Sequence, residues 1–349
     1  MHKKGYQGSF GVKLISDVLM DLFYNKDNTF KEKVWAYKRG FLSPQVKNYG
    51  LNNDNFQYYL SDFDYYKMYP INGRFKLWID DKLTIKYILY PFKGYLPEYY
   101  CHIISRGKTI PLMDGEFINN ITDIVELLKL RKELALKLVA GSLGVGFHKL
   151  SFINNEFYLD GEIINGDQLL EFLFQLKNYL VTEYIIPHHE IRKIYSLTAN
   201  TIRVMVLNED GKEPIIANAF IRFGTSITGQ VDNVSVGGIC AIIDINSGYY
   251  HNGKRIVNNK LVCCKVHPDT KVPIEGKLPY WDFIKQKLIE ISIYLAEVKY
   301  MGFDVAITEN GFKIIEINSH QDIKWYQYYY PLLTNNEAES FFRKLIIKK

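Results

Sequence analysis

Residues 302–320, GFDVAITENGFKIIEINSH, constrain the fold most strongly. Two apolar runs flank Glu309-Asn310-Gly311, a triplet suited to a tight turn, so the segment reads as two short paired strands. Phe303, Val305, Ile307, Ile314, Ile315 and Ile317 frame three polar side chains. Asp304 lies on the first strand. Glu316 and Asn318 lie two apart on the second and therefore share a face. Across the pair, two carboxylates and an amide oxygen can converge. These are hard oxygen ligands of the kind Mg²⁺ takes. The competing reading is the ordinary polar outer face of an antiparallel strand.

A chain of 349 residues with 47% hydrophobic and 15% aromatic content can bury a large core in two or three subdomains. Its net charge of +5 suits an anionic small-molecule partner but is too weak to argue for nucleic acid, and no nucleic-acid motif is present. Cys101, Cys240, Cys263 and Cys264 form no CxxC pair, so neither a disulfide framework nor a structural zinc site is expected. His267 follows Cys264 by three and reads as a loop residue. Ser16, Asp17 and Asp21 interrupt the apolar N-terminus, which reads as an amphipathic helix and not a signal peptide. No run reaches the about eighteen apolar residues of a transmembrane helix. A cytoplasmic protein, peripheral at most to the inner face of a membrane, is the expectation.

No internal repeat or low-complexity linker appears. Residues 1–75 read as a helical, irregular lead-in. Asp80-Asp81-Lys82 opens a helix, its acids placed where the helix dipole favours them. Strands are expected at 99–112 and 134–164, and helices at 123–132, at about 166–180 and at about 279–299. Residues 181–186 read as a strand or connector, and long strands follow from 198 onward. The helices and strands follow no regular βαβ repeat, which places the chain in the α+β class.

Gly141, Ser142, Gly144, Val145 and Gly146 form a glycine-rich loop just after Lys137. Glycines bring backbone N–H groups onto phosphate oxygens, and a lysine on the adjoining strand adds a point charge. No Gly-Lys-Ser/Thr and no helix follow, so the loop is neither a Walker loop nor a Rossmann turn; a strand–loop–strand flap fits, as does a plain hairpin turn. Glu183, Tyr184 and Ile186 could line an adenine edge, and Glu190 could take ribose hydroxyls, or the glutamates could be solvated.

Arg203 and Arg222 each sit inside an apolar strand. Such an arginine either pairs with a core carboxylate or faces a phosphate or developing oxyanion. Asp232, Asn233, Gly237 and Gly238 belong to a glycine- and hydroxyl-rich stretch that reads as a substrate loop or as two hairpin turns. His320 follows the hairpin and could shape a substrate pocket.

Taken together, Asp81-Lys82, Lys137, the 141–146 flap, Glu183 with Glu190 seven residues on, the strand arginines and the Asp304…Glu316-x-Asn318 set resemble the ATP-grasp superfamily. Within it the chain is similar to the sugar-transfer-associated ATP-grasp proteins, which are related to teichuronopeptide-type enzymes. NTIRV (200–204), FIRFG (220–224), VDNVSVGGI (231–239), HPDTKVPIEGKLPYW (267–281) and GFDVAITENGFKIIEIN (302–318) carry the likeness, which covers roughly 75–330. Leu138 stands where many relatives have proline.

The resemblance implies an ATP-grasp fold of two α+β subdomains clasping ATP. A helical region would occupy 1–75, the N-terminal and central subdomains with the flap 76–186, and the C-terminal subdomain with the Mg²⁺ site 187–349. It implies ATP and one or two Mg²⁺ ions as cofactors. Lys82 and Lys137 would bind phosphates under the flap, Glu183 to Ile186 would line the adenine, and Glu190 would meet the ribose. Asp304, Glu316 and Asn318 would hold Mg²⁺, and Arg203 and Arg222 would meet the transferred phosphoryl group. The implied activity is amide ligation through an acyl-phosphate. It would join a carboxylate substrate, a uronic acid or amino acid, to an amine acceptor, with glycosyltransferases of a polysaccharide pathway as possible partners. The rival readings are a sugar or polyol kinase on the same fold and a non-catalytic nucleotide-binding module.

Overall fold

The structure is a computed structural model that describes residues 10–112, 118–141, 144–258, 260–334 and 336–347. Helices α1 (Phe10–Tyr24), α2 (Phe30–Tyr37), α3 (Pro44–Asn48) and α4 (Asp62–Met68) come first. Thr29 and Glu32 close a capping box on α2, and Ser61 caps α4, so each start is set by local side-chain chemistry. Helix α5 (Lys82–Ile88) starts where Asp81 accepts a hydrogen bond from the Thr84 N–H at 2.7 Å. Pro91 follows, and the chain continues as a 3₁₀ turn over Tyr90–Tyr95.

Strands β1 (Tyr99–Ser105), β2 (Lys108–Pro111), β3 (Glu133–Leu138), β4 (His148–Ile153), β5 (Glu156–Leu159), β6 (Glu162–Ile164) and β7 (Lys177–Glu183) build one antiparallel sheet in the order β2-β1-β7-β3-β4-β5-β6. Helices α6 (Ile121–Arg131) and α7 (Gly166–Gln175) cover one face. Their Ile124, Leu128, Leu169 and Leu173 pack with Ile103, Leu136, Leu150 and Val181.

Helix α8 (His189–Arg192) leads into the second sheet. This contains β8 (Ile202–Leu207), β9 (Ile215–Phe223), β10 (Ile239–Ile243), β11 (Tyr249–Val257), β12 (Lys260–Cys263), β13 (Gly276–Lys277), β14 (Tyr300–Thr308) and β15 (Gly311–Asn318). Its order is β12-β11-β10-β9-β8-β14-β15, with β13 paired to β11. Helix α9 (Trp281–Tyr294) lies on one face, where Ile284, Leu288 and Ile291 join a cluster with Val204, Val206, Phe303 and Val305. The other face packs against the N-terminal helices together with α10 (Lys324–Gln327) and α11 (Asn336–Ile347). There Met205, Phe220 and Tyr300 join Phe41, Leu60, Tyr65, Tyr326 and Phe342.

The two-residue period of the strands decides where the chemistry lies. Odd-numbered Arg203 shares the face of Met205, and Asp304 shares that of Tyr300. The polar groups therefore emerge on the side that α2 to α4 cover.

Two helices are shorter than expected. The expected helix at 166–180 stops at Gln175, and Lys177 to Leu180 belong to β7. The reason is tertiary: β7 pairs with β1 on one side and β3 on the other, so its backbone bonds are used across the sheet. The helix expected at 279–299 runs only from Trp281 to Tyr294. All four cysteines are free thiols. Among the described residues, no helix is long and apolar enough to cross a membrane.

Candidate active site

Strand β14 lies between β8 and β15, and this places Asp304 opposite Arg203 on one side and Glu316 on the other. Asn318 stands opposite Gly302. Arg203 grips the Asp304 carboxylate with a fork: Nε meets Oδ1, and Nη2 donates to Oδ2 at 2.7 Å. Arg222 Nη2 approaches the same Oδ2 at 3.0 Å. Burial works to lower the Arg203 pKa, but the Asp304 carboxylate outweighs it and holds the guanidinium above its ordinary value. The core ion pair open to these arginines from sequence is therefore formed. The Asp304 carboxylate also meets the Glu316 side chain, so the two acids stand next to each other at the site.

Glu316 Oε2 lies 2.9 Å from Lys82 Nζ, and its Oε1 accepts from the Asn318 amide at 3.3 Å. Burial pushes the Glu316 carboxyl up, but Lys82 and then Arg203 outweigh it and hold the group well below the usual carboxylate range. Lys82 also donates to the Gly141 carbonyl at 2.9 Å. Lys137, on β3, is brought down from 10.5 to about 8, first by burial and then by the Lys82 charge.

The flap joins β3 to β4. Gly144 and Gly146 have φ of 74° and 72°, where a side chain is strained. A Cβ on Gly144 would stand 2.8 Å from Val231 Cγ1, so the flap rests against the 231–238 loop. Ser142 lies outside the described residues.

These groups border one cavity of about 950 Å³ between the two sheets. Lys82, Lys137, Gly141, Gly144, Val145, Tyr184, Arg203, Arg222, Asp232, Asn233, Asp304, Glu316, Asn318 and His320 all line it. Asp232 accepts from Thr201 Oγ1 at 2.7 Å and lies 3.7 Å from Arg222 Nε, while Asn233 caps the following turn. His320 stacks on Tyr65 with centroids 4.5 Å apart, and burial lowers its pKa to about 4, so the ring is neutral near pH 7.

Other expected residues lie off the lining. The Glu183 carboxylate turns to the Glu98 N–H, 3.1 Å away, and to Lys313. Ile186 is half exposed. Glu190 sits on the surface of α8, where it accepts from Lys193 at 2.5 Å and contacts His189. Gly146 packs beneath Tyr179, and Gly237 beside Ile227, while the Gly238 N–H donates to Asn233 O at 3.1 Å.

The cavity has a wall that the sequence reading missed. Lys13, Asp17 and Asp21 of α1 line it, as do Tyr65, Tyr66 and Tyr69 around α4. Lys13 Nζ donates to Asp17 at 2.7 Å and to Tyr66 Oη at 3.0 Å. The signal was the row of charges at 13, 17 and 21, which fall on one helix face at i, i+4 spacing.

Residues 62–336 match the family model of sugar-transfer associated ATP-grasp proteins. The chain belongs to that family. No curated protein matches it. Among solved structures it is similar to the ATP-grasp ligase PsnB complexed with minimal precursor, at 12% identity over 79% of this chain and 64% of that one, with a TM-score of 0.40. It is similar to D-alanine–D-alanine ligase from Bacillus anthracis at 15% identity over 77% of this chain and 68% of that one, with a TM-score of 0.39. N5-carboxyaminoimidazole ribonucleotide synthetase from Thermotoga maritima matches at 13% identity over 77% and 49%, with a TM-score of 0.41. The chain thus spans about half to two thirds of the length of these proteins.

Proposed function

We propose that this sugar-transfer associated ATP-grasp protein is an ATP- and Mg²⁺-dependent carboxylate–amine ligase. Its proposed product is an amide between an amino acid or amine and a uronic-acid-type sugar of a surface polysaccharide precursor. The observation that carries the reading is one convergence: Asp304, Glu316 and Asn318 meet Lys82, Lys137, Arg203 and Arg222 in a single cavity. Lys82, Lys137, Arg203 and Arg222 are the cations of that cluster, charged groups of the kind that bind a polyphosphate.

The donor set fits Mg²⁺, because two carboxylates and an amide are hard oxygen ligands gathered on paired positions of β14 and β15. Asp304, Glu316 and Asn318 would hold the ion. When bound, Mg²⁺ neutralises phosphate charge and polarises the γ-phosphoryl group. Lys82 and Lys137 hold the phosphates, and Tyr184 with Ile185 borders the base. A substrate carboxylate oxygen bonds to the γ-phosphorus as the bridging P–O bond breaks and ADP leaves. Arg203 and Arg222 spread the charge on the transferred oxygens. The flap, lodged on Val231, keeps water from the acyl-phosphate. An amine nitrogen then attacks the carbonyl carbon, the C–O bond to phosphate breaks, and a proton is released. The wall of α1 and α4 is the compartment left for these two substrates.

Hydroxylamine tests the reading. In place of the amine it should give a hydroxamate from the carboxylate substrate, together with ADP. ADP release with a phosphorylated hydroxyl and no hydroxamate would make the protein a kinase.

A further inference from the structure

Helix α1 turns its polar side inward. Lys13, Asp17 and Asp21 face the cavity, and Asp21 is held there by Ser43 and Tyr37. Its opposite side carries Val12, Ile15, Leu19, Leu22 and Phe23, a stripe about 100° wide at helical spacing. That stripe is open to solvent, with Ile15 62% and Phe23 68% exposed. A helix on a protein surface normally does the reverse and presents its apolar stripe to the core. A contiguous apolar face of this kind marks a contact surface.

Charge at one end of the stripe points to what it contacts. Lys33 of α2 donates to the carbonyls of Asp21, Leu22 and Asn25, tying the first turn of α2 against the end of α1. Exposed Lys26, Phe30 and Lys31 follow the Phe23 end within eight residues, with exposed Asp27 and part-buried Glu32 among them. Lys3 and Lys4 precede the other end in sequence. An apolar helical stripe flanked by lysines is the chemistry of a helix lying in the interface of an anionic bilayer. A second copy fits less well. Five partly exposed side chains on one helix fall short of the ~800 Å² per partner of a stable interface, and a two-fold contact would set lysines against lysines.

We infer that α1 docks the protein on an anionic lipid bilayer, with Val12, Ile15, Leu19, Leu22 and Phe23 seated in the headgroup–acyl boundary and Lys26 and Lys31 on the lipid phosphates. The helix then has the bilayer on one side and the cavity on the other.

Co-sedimentation of the full chain with vesicles tests this, without nucleotide, so the result stands apart from the ligase reading. The protein should sediment with phosphatidylcholine–phosphatidylglycerol vesicles and stay in solution with phosphatidylcholine alone. Ile15→Glu/Leu19→Glu should abolish sedimentation while the circular dichroism spectrum is kept. Lys26→Gln/Lys31→Gln should weaken partitioning by up to roughly 30-fold, and salt should do the same to the parent. No binding to anionic vesicles, or binding that both variants retain, overturns the proposal. So does a parent dimer by light scattering that Ile15→Glu/Leu19→Glu converts to monomer.

Discussion

Lys82 Nζ sits 2.9 Å from Glu316 Oε2 and donates to the Gly141 carbonyl at the same distance. One ammonium therefore joins the start of the flap to an acid of the proposed metal site. Lys82→Met should cut kcat/KM for ATP on the order of 100-fold, as loss of one preorganised charge does. Glu316→Gln should instead raise the Mg²⁺ concentration needed for half-maximal turnover. Steady-state assays at varied ATP and Mg²⁺ separate the two effects.

Arg203 and Asp304 form a buried pair, and breaking one side leaves a charge unpaired. Arg203→Met should lose about 3–5 kcal/mol of stability. Arg203→Met/Asp304→Asn should lose less than the sum of the single changes, because neither charge is then stranded. Urea unfolding of the four proteins measures the difference.

Lys137 gives a pH signature. Its pKa falls from 10.5 to about 8 on folding, so the charged form is penalised in the folded protein. Below pH 8 both states hold the proton and the penalty is complete. Between about 8 and 10.5 the unfolded chain binds more protons, so this group adds stability as pH rises. Lys137→Met should therefore be the more stable protein at pH 7, with a gap that closes as pH rises through that window, while its ATP affinity is lost. Thermal melts across pH and nucleotide titration read the two quantities.

The wall of α1 predicts a split in kinetic constants. Lys13→Met and Asp17→Asn should raise KM for the carboxylate or amine several-fold and leave KM for ATP unchanged. A matching change in both would place these residues in general support of the fold.

The shared face of Glu316 and Asn318 was legible in sequence because strand alternation fixes it, and the hairpin at Glu309 brought Asp304 near them; the pairing of Asp304 with Glu316 itself comes from a register shift beside Val305 that no sequence pattern announced. Lys82, Lys137 and the strand arginines were legible as types and from the family pattern. Their mutual bonds were not, since Lys82 and Glu316 lie 234 positions apart in sequence and meet only through the packing of two sheets. The end of α7 was misjudged because Lys177 to Leu180 carry helical-looking apolar spacing, and only pairing on both edges of β7 makes them strand. The wall from α1 and α4 stayed hidden for a related reason. Polar residues on a surface helix look solvated until the face they turn to is known.

The central claim is that a substrate carboxylate meets the γ-phosphate between Lys82, Lys137 and the two arginines. Oxygen-18 tracing tests it most directly. With the substrate carboxylate labelled and an amine acceptor present, the phosphate released should carry one labelled oxygen. Unlabelled phosphate, or phosphate retained on a substrate hydroxyl, would contradict the account.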